Sequence, residues 1–252
     1  MKGLIIKDLY CLKKEIRLFL GVTIGSAIVA ILFLLSARYG NIAIALDDIQ
    51  KTEMISGEQL LRLTDMLALF IIYLPIALTG SLVECFKEDS KAGFAKVMFS
   101  MPVSCKKIVG SRYITCLLFF GVCILSSTFC NILVTSVSDS LKFVSVFKGT
   151  LCCCAIFMIY ISLVMFLLYL LGTKRSDIIQ SVPFLIVFFG GMIRFAAKIE
   201  DGADIMEMIS SGKEFFTNYS WFLFGAAVLC ILVSYTVSVK ILERRRENIY
   251  AR

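Results

Sequence analysis

The chain has 252 residues, of which 59% are hydrophobic and 18% charged, with a mean hydropathy of +0.87 and a formal net charge of +7. A soluble domain carries about 25% charged residues, so this composition excludes a soluble globular protein and indicates an integral membrane protein. No polar block is long enough for a second folded domain, so residues 1–252 are interpreted as one transmembrane domain. The absence of histidine argues against membrane metalloproteases and Ser-His-Asp hydrolysis.

The chain opens with an amphipathic segment over residues 1–17. Four apolar residues of this segment share one face of a helix, because they are spaced by four, three and four positions. They are Ile5, Leu9, Leu12 and Ile16. A helix of this kind lies along the inner leaflet with its apolar face in the acyl region. The alternative is a basic flank that only follows the positive-inside rule.

Six apolar runs have the length of about 20 residues that a helix needs to cross a hydrocarbon core of about 30 Å. They lie at residues 18–37, 66–83, 108–137, 149–172, 178–197 and 219–241. The third exceeds that length, so it tilts or extends beyond the membrane. Pro75 in the second run and Pro183 in the fifth can kink their helices, because proline lacks a backbone donor. We therefore predict an all-α fold with six transmembrane helices.

The segment between the second and third spans, residues 84–107, is strongly charged. Its apolar residues recur at i, i+3, i+4 and i+7, the pattern of an amphipathic helix; they are Phe94, Val97, Met98 and Met101. Pro102 then ends this helix. We predict a cytosolic coupling helix that a soluble partner binds, with Phe94 and Met98 as apolar anchors. The charged rim around these anchors consists of Glu84, Lys87, Glu88, Asp89 and Lys91.

Basic residues are unequally divided between the two sides of the predicted topology. With the N-terminus in the cytosol, seventeen Lys and Arg residues lie on the cytosolic side and eight on the outside. By the positive-inside rule, this bias places both termini and the coupling segment in the cytosol. On the outside, Ile205, Met208 and Ile209 form a small apolar face. This face predicts a short outer helix between spans five and six that dips into the outer leaflet.

Hard charges are almost absent from the six spans, which argues against a transporter driven by protons or sodium ions. The third span nevertheless has a polar face, because Thr128, Asn131 and Thr135 recur with helical spacing. That face should meet protein or a water-filled cavity rather than lipid. Two interpretations stay open at this point. The face can form hydrogen bonds between helices, or it can line a substrate pathway.

The ten cysteines do not indicate a metal or redox site. No CxxC pair occurs, and the adjacent residues Cys152, Cys153 and Cys154 face different sides of a helix. We interpret the cysteines as small apolar residues and predict neither metal ligands nor disulfides. No GxxxxGK[ST] phosphate loop occurs either, so the chain itself is not expected to hydrolyse ATP. No other catalytic set is found, and an enzyme is therefore not predicted.

Several stretches resemble the ABC-2 type permeases, which are the membrane halves of bacterial ABC exporters. The opening residues Met1–Leu9 are similar to the start of that family. Glu88–Gly93, Phe99–Ser104 and Lys107–Val109 are similar to its loop between spans two and three, where an acidic-basic cluster precedes a SLPVSRKKIV-like turn. The departures are Met101 for the usual Leu, Cys105 for a usual Arg, and Ser90 where a charge is common.

The resemblance implies a permease of the bacterial plasma membrane with no cofactor of its own. Two copies of a separate ATPase subunit would hold ATP and Mg and bind the coupling segment. A second permease subunit, taken as a copy of this chain, would complete the complex. Family members of this size commonly export amphipathic or antimicrobial peptides such as phenol-soluble modulins, so a peptide cargo is expected. The remaining partner is membrane lipid, and no nucleic acid is expected.

Other functions stay open beside peptide export. Within the same family, the alternatives are lantibiotic immunity and drug efflux. A membrane substrate-binding subunit for vitamin import also has six spans and an ATPase partner, but it is usually shorter and lacks so long a charged loop. A non-transporting membrane anchor is a further class. Co-purification with an ATPase separates a transporter from an anchor, and the direction of ATP-driven movement separates an exporter from an importer.

Overall fold

The computed structural model describes residues 2–39, 57–83, 88–89, 103–137, 141–172, 178–183, 185, 189–190 and 205–250. All regular secondary structure in this part of the chain is helical, which confirms the all-α prediction there. The longer elements are α1 (Lys2–Cys11), α2 (Lys13–Tyr39), α3 (Gly57–Ala77), a 3₁₀ helix (Leu78–Val83), α4 (Cys105–Val137), α5 (Phe143–Leu171) and α6 (Ile205–Tyr250).

Four helices within the described residues are long and apolar enough to cross a membrane. They comprise Lys13–Ser36 of α2, all of α4, all of α5, and Asn218–Arg246 of α6. These helices make the chain a multi-pass membrane protein, and they overlap the first, third, fourth and sixth predicted spans. The predicted fifth span, 178–197, lies mostly outside the described residues. The total of six spans therefore stays a prediction.

The predicted second span, 66–83, is not a single α-helix. Pro75 lies in the last turn of α3, and the backbone continues from Leu78 as a 3₁₀ helix. The cause is local, because proline has no N–H to donate and its ring crowds the preceding turn. Side chains bind two of the carbonyls in this region: Thr79 Oγ1 donates to Ile76 O at 2.8 Å, and Gln180 Nε2 donates to Gly80 O at 3.3 Å.

The N-terminal helix α1 ends at Cys11, and the face that it packs on the bundle is centred on Asp8. A turn at Leu12 separates α1 from α2, so residues 13–17 belong to the first membrane helix. Of the predicted apolar face, Ile5 and Leu9 are only half-buried. Asp8 is 1% exposed, and Leu4 and Leu12, four residues to either side of it, contact the main core. The structure therefore packs α1 on the bundle along a face with a carboxylate at its centre.

The short outer helix predicted between spans five and six is not a separate element. Residues 205–250 form the one continuous helix α6, of 46 residues. No proline occurs between residues 205 and 250, and a single glycine such as Gly212 costs a helix only about 1 kcal/mol relative to alanine. The apolar spacing at residues 205–209 was correctly assigned to a helix, but nothing in the chain ends that helix before the span begins.

α5 is the central helix of the described bundle. In its most apolar stretch 56% of the residues are buried, against 39% for α4 and 28% for both α2 and α6. Met158 and Met165 of α5 lie in the main core cluster with Phe19 of α2 and Phe120 of α4. In lipid the hydrophobic effect does not drive apolar helices together, so van der Waals packing and hydrogen bonds hold such a core in place.

Several helix ends meet at one end of the bundle, which we call the basic end. Arg245 Nη2 of α6 donates to Leu170 O at the end of α5 at 2.6 Å, and Arg246 Nη1 donates to Val103 O just before α4 at 2.9 Å. α1 packs against the start of α4 at this same end. Exposed basic residues at this end include Lys13, Lys14, Lys106, Lys107, Arg244 and Arg245. This end therefore concentrates positive charge.

Candidate functional site

Most of the predicted coupling segment lies outside the described residues. This holds for Glu84, Lys87, Lys91, Phe94 and Met98. The described part consists of Glu88 and Asp89, which lie in a short helical stretch, and of residues 103–107, where α4 begins. Glu88 is exposed to solvent and Asp89 is half-buried. Of the predicted coupling residues, the structure therefore describes one exposed and one half-buried carboxylate.

Four charged residues meet where α1 packs on the start of α4, and we call them the ionic cluster: Lys7, Asp8, Asp89 and Arg112. Arg112 Nη1 lies 3.0 Å from Asp8 Oδ1, and Arg112 Nη2 pairs with Asp89 Oδ2. Lys7 Nζ lies 2.7 Å from Asp89 Oδ1 and 3.5 Å from Asp8 Oδ1. Arg112 thus bridges two carboxylates, a geometry that suits its planar fork of N–H donors.

The inner pair of the ionic cluster is withdrawn from solvent. Asp8 is 1% exposed and Arg112 is 8% exposed, whereas the Lys7 and Asp89 side chains retain 30% and 16% of their surface. A narrow cavity beside the pair has mostly apolar walls. They are formed by Leu12, Leu82, Thr115, Cys116 and Met165. Removing either charge of the pair would leave the other in these surroundings with fewer compensating charges.

Burial also changes the proton affinity of the two groups that α1 contributes. Burial raises the pKa of the Asp8 carboxyl above its ordinary value, and the charges of Arg112 and Lys7 oppose that rise. Burial lowers the pKa of the Lys7 ammonium, and the neighbouring positive charge of Arg112 acts in the same direction. In both groups the largest cause of the pKa shift is the loss of hydration that burial brings.

The sequence pattern alone does not show the ionic cluster. Arg112 lies inside the predicted third span, 108–137. An ionisable residue inside a span normally has a partner of opposite charge, so Arg112 by itself indicates such a partner. Asp8 gave a second signal, because Leu4 and Leu12 lie four residues before and after it on the same helix face. Only the fold shows that the two residues meet.

The predicted polar face of α4 lies at least partly between helices. Asn131 is 0% exposed, and its Nδ2 atom donates to Thr150 Oγ1 of α5 at 2.7 Å. Thr128 and Thr135 are half-buried, and their hydroxyls donate to carbonyls of their own helix. Within the described residues, Asn131 Oδ1 and the buried Ser127 Oγ, one turn earlier, have no hydrogen-bond partner. α4 therefore has two buried polar atoms that are able to form hydrogen bonds and form none with the described residues in this conformation.

A second polar contact, which the sequence did not indicate, joins α4, α5 and α6. Tyr113 Oη lies 2.6 Å from Ser234 Oγ and 3.2 Å from Ser238 Oγ. Ser234 Oγ in turn donates to Ser162 O at 2.8 Å, and Ser162 Oγ donates to Cys230 O at 2.9 Å. Serine is small enough to let helices approach closely while its hydroxyl bonds across the interface. These contacts fix the lateral arrangement of three membrane helices.

These features define a class: a helical, multi-pass membrane protein with polar contacts inside its bundle and a charged cluster at one end. The chain belongs to the ABC-2 transporter family. The family model described as "ABC-2 family transporter protein" matches residues 59–243, which is most of the chain. This match confirms the resemblance found in the sequence, and it makes the chain the permease component of an ABC transporter, which normally works with a separate ABC ATPase subunit. No curated protein and no solved structure matches the chain.

Proposed function

We propose that this chain is the permease of a bacterial exporter that moves amphipathic or antimicrobial-type peptides out of the cell. The observation that carries the proposal is the match to the ABC-2 family over residues 59–243. The spans themselves support an external energy source, because residues 113–137 of α4 and 149–171 of α5 contain no Asp, Glu, Lys or Arg. Without an ionisable relay along these helices, ATP hydrolysis on a partner subunit is the expected source of energy.

A peptide cargo fits the chemistry of the bundle. An amphipathic helix needs an apolar surface with a few hydrogen-bonding groups, and the α4–α5 interface offers both kinds of group. Thr128, Asn131 and Thr135 are proposed to lie along the pathway, and the unused acceptor Asn131 Oδ1 supports this role. The hydrogen bond from Asn131 to Thr150 supports a packing role as well. The two roles coexist if the interface opens during transport.

The proposed orientation places the basic end in the cytosol of a bacterial cell, with both termini there. Exposed lysines and arginines at one end of the bundle support this orientation by the positive-inside rule. The proposed coupling segment, residues 84–107, then lies on the side where an ATPase is available. We propose a complex of two copies of this chain and two ATPase subunits, with ATP and Mg²⁺ on the ATPase.

The transport assay uses inside-out vesicles that contain the permease and its ATPase. A fluorescent synthetic amphipathic helical peptide should accumulate inside these vesicles when ATP is added, and should not accumulate when a non-hydrolysable ATP analogue replaces it. If a hydrophobic drug accumulates and the peptide does not, drug efflux replaces peptide export. If neither the peptide nor the drug accumulates when ATP is added, the proposal is wrong.

The coupling role of residues 84–107 has its own test. Truncating a buried interface anchor typically costs about 2 kcal/mol or more, whereas an exposed ion pair contributes about 0–1 kcal/mol. Phe94→Ala should therefore reduce ATPase binding and permease-dependent ATP hydrolysis more than Lys87→Ala does. Both are measured on purified complexes, with Lys87→Ala as the matched control from the same segment. Full assembly and full hydrolysis with Phe94→Ala would contradict the proposed anchor.

The pathway role of Asn131 is tested by water accessibility. Asn131→Cys, in a background without the native cysteines, should react with a water-soluble thiol reagent in at least one nucleotide state. The matched control is Phe129→Cys, because Phe129 is 64% exposed on the outer surface of the bundle and should face lipid. If position 131 stays as unreactive as the lipid-facing position 129 in every nucleotide state, Asn131 only connects helices.

A further inference from the structure

We propose that Arg112 is a positioning residue for coupling: it binds the N-terminal helix and the segment between spans two and three to the start of α4, so that the three move together. This inference rests on the proposed function, in which an ATPase acts on residues 84–107. It assigns a role to residues outside the proposed ATPase contact. It also gives α1 a mechanical part, in addition to its place at the membrane surface.

The first step of the argument is connectivity. The ionic cluster joins three parts of the chain that are distant in sequence: α1 through Lys7 and Asp8, the coupling segment through Asp89, and α4 through Arg112. Arg112 contacts both carboxylates, one with each terminal nitrogen, and Lys7 of α1 contacts both with its ammonium. Arg112 is the member of the ionic cluster that lies on α4. Loss of this one side chain would therefore remove the contacts of the cluster with α4, whereas Lys7 would still join α1 to Asp89.

The second step is the burial of the central pair. Asp8 and Arg112 are 1% and 8% exposed, so water cannot readily replace either partner if the two separate. A charge that loses its partner in such surroundings is strongly disfavoured. A displacement of Asp89 is therefore more easily accommodated by moving α1 and α4 with it than by opening the cluster. The cluster therefore transmits motion between the segments that it connects. An exposed ion pair would not, because water can separate its two charges.

The third step concerns α4, which connects the ionic cluster to α5 and α6. α4 runs without interruption from Cys105 to Val137 and carries both polar contacts described above, Tyr113 to α6 and Asn131 to α5. A movement of the start of α4 thus reaches the interfaces at which a pathway would open. The other end of the coupling segment is also held, because Arg246 of α6 donates to Val103 O. Described residues near both ends of the segment therefore contact the bundle, and Arg112 forms the contact between Asp89 and α4.

The test separates coupling from folding by comparing single and double variants in the complete permease–ATPase complex, reconstituted in nanodiscs. Arg112→Gln and Asp8→Asn each leave a buried charge with fewer partners, so each should lower the yield of monodisperse complex. The double variant Asp8→Asn/Arg112→Gln removes both buried charges and should recover yield. The matched control is Lys14→Gln, which removes an exposed charge at the same end and should behave like the wild type.

The decisive measurement is permease-dependent ATP hydrolysis, the rate in the complex relative to the isolated ATPase subunit. The double variant should recover yield and still lose this stimulation by about fivefold or more, in the range of a typical coupling factor. A double variant with normal stimulation would show that the pair is only structural, and would overturn the inference. If the double variant does not fold, Arg112→Lys decides, because lysine keeps the charge but cannot bridge two carboxylates with a planar fork.

Arg112→Lys is expected to assemble and to lose stimulation, whereas normal stimulation or failure to assemble would overturn the inference. Failure of the proposed function looks different from failure of this inference. If the wild-type permease neither retains an ATPase subunit nor changes its hydrolysis rate, the proposed function fails. If the wild type does both and the Arg112 variants match it, only the role of Arg112 is refuted.

Discussion

Position 149 of α5 is expected to accept glycine only, because α3 passes unusually close to it. Tyr73 of α3 lies over Gly149, and its hydroxyl donates to Val146 O of α5 at 2.9 Å. A Cβ atom added at position 149 would lie 2.9 Å from Tyr73 Cζ and 3.4 Å from its Cε2, with its Oη closer still. Gly149→Ala would therefore force the tyrosine ring away and break its hydrogen bond.

The magnitude follows from three effects. Forcing an extra methyl group into a packed interface costs about 1–3 kcal/mol. Loss of an interhelical hydrogen bond in a membrane protein adds about 0.6 kcal/mol and at most about 1.7 kcal/mol. Alanine regains up to about 1 kcal/mol over glycine as a helix former. The expected net destabilisation is about 1–3 kcal/mol. Gly121→Ala in α4 is the matched control, because an added Cβ there meets nothing within 4 Å, and it should not destabilise.

The assay is reversible unfolding of the purified permease in mixed micelles with increasing SDS. A double-mutant cycle identifies the cause: in a Tyr73→Leu background, Gly149→Ala should cost much less than it does in the wild type, because the clashing ring is gone. Equal stability of Gly149→Ala and Gly121→Ala would refute the close contact between α3 and α5. An undiminished cost in the Tyr73→Leu background would assign the effect to something other than Tyr73.

Two further predictions concern the polar contacts between membrane helices, and the same unfolding assay measures both. Thr150→Val removes the acceptor of Asn131 Nδ2 and should cost about 1–2 kcal/mol, because the buried amide is left with an unmet donor; Thr236→Val, whose hydroxyl is exposed and bonds its own helix, should cost little. Ser234→Ala removes two contacts between helices and should also cost about 1–2 kcal/mol. A similar loss for the exposed Ser136→Ala would contradict this assignment.

The sequence alone determined the class of the protein and most of its described membrane helices. Each span is a local property, because every residue in it has its own free energy of transfer into lipid, and a run of about 20 apolar residues is recognisable without knowledge of its neighbours. Family membership was also present in the sequence, in motifs such as Glu88–Gly93 and Phe99–Ser104, and the family match confirms it. Pro75 correctly indicated an irregular second span, since its effect on the backbone is local too.

Helix boundaries were predicted less accurately, because they do not depend on local sequence alone. The apolar spacing at residues 205–209 indicated a helix, but the decision between two helices and one continuous α6 depends on how the chain leaves the membrane. Likewise, the apolar spacing in residues 1–17 indicated a helix, whereas the burial of Asp8 between Leu4 and Leu12 was not visible. Asp8 pairs with Arg112, which lies about a hundred residues further along the chain.

Only the tertiary structure decided which polar groups meet. Lys7 pairs with Asp89 across 82 residues of sequence, and Tyr113 bonds Ser234 across 121. In lipid, one apolar helix surface is as well solvated by acyl chains as by another helix, so the apolar pattern does not encode which helices are neighbours. Close packing around small residues such as Gly149, and hydrogen bonds or ion pairs between a few polar side chains, select the arrangement. These contacts depend on three-dimensional register, which a linear pattern of hydrophobicity does not contain.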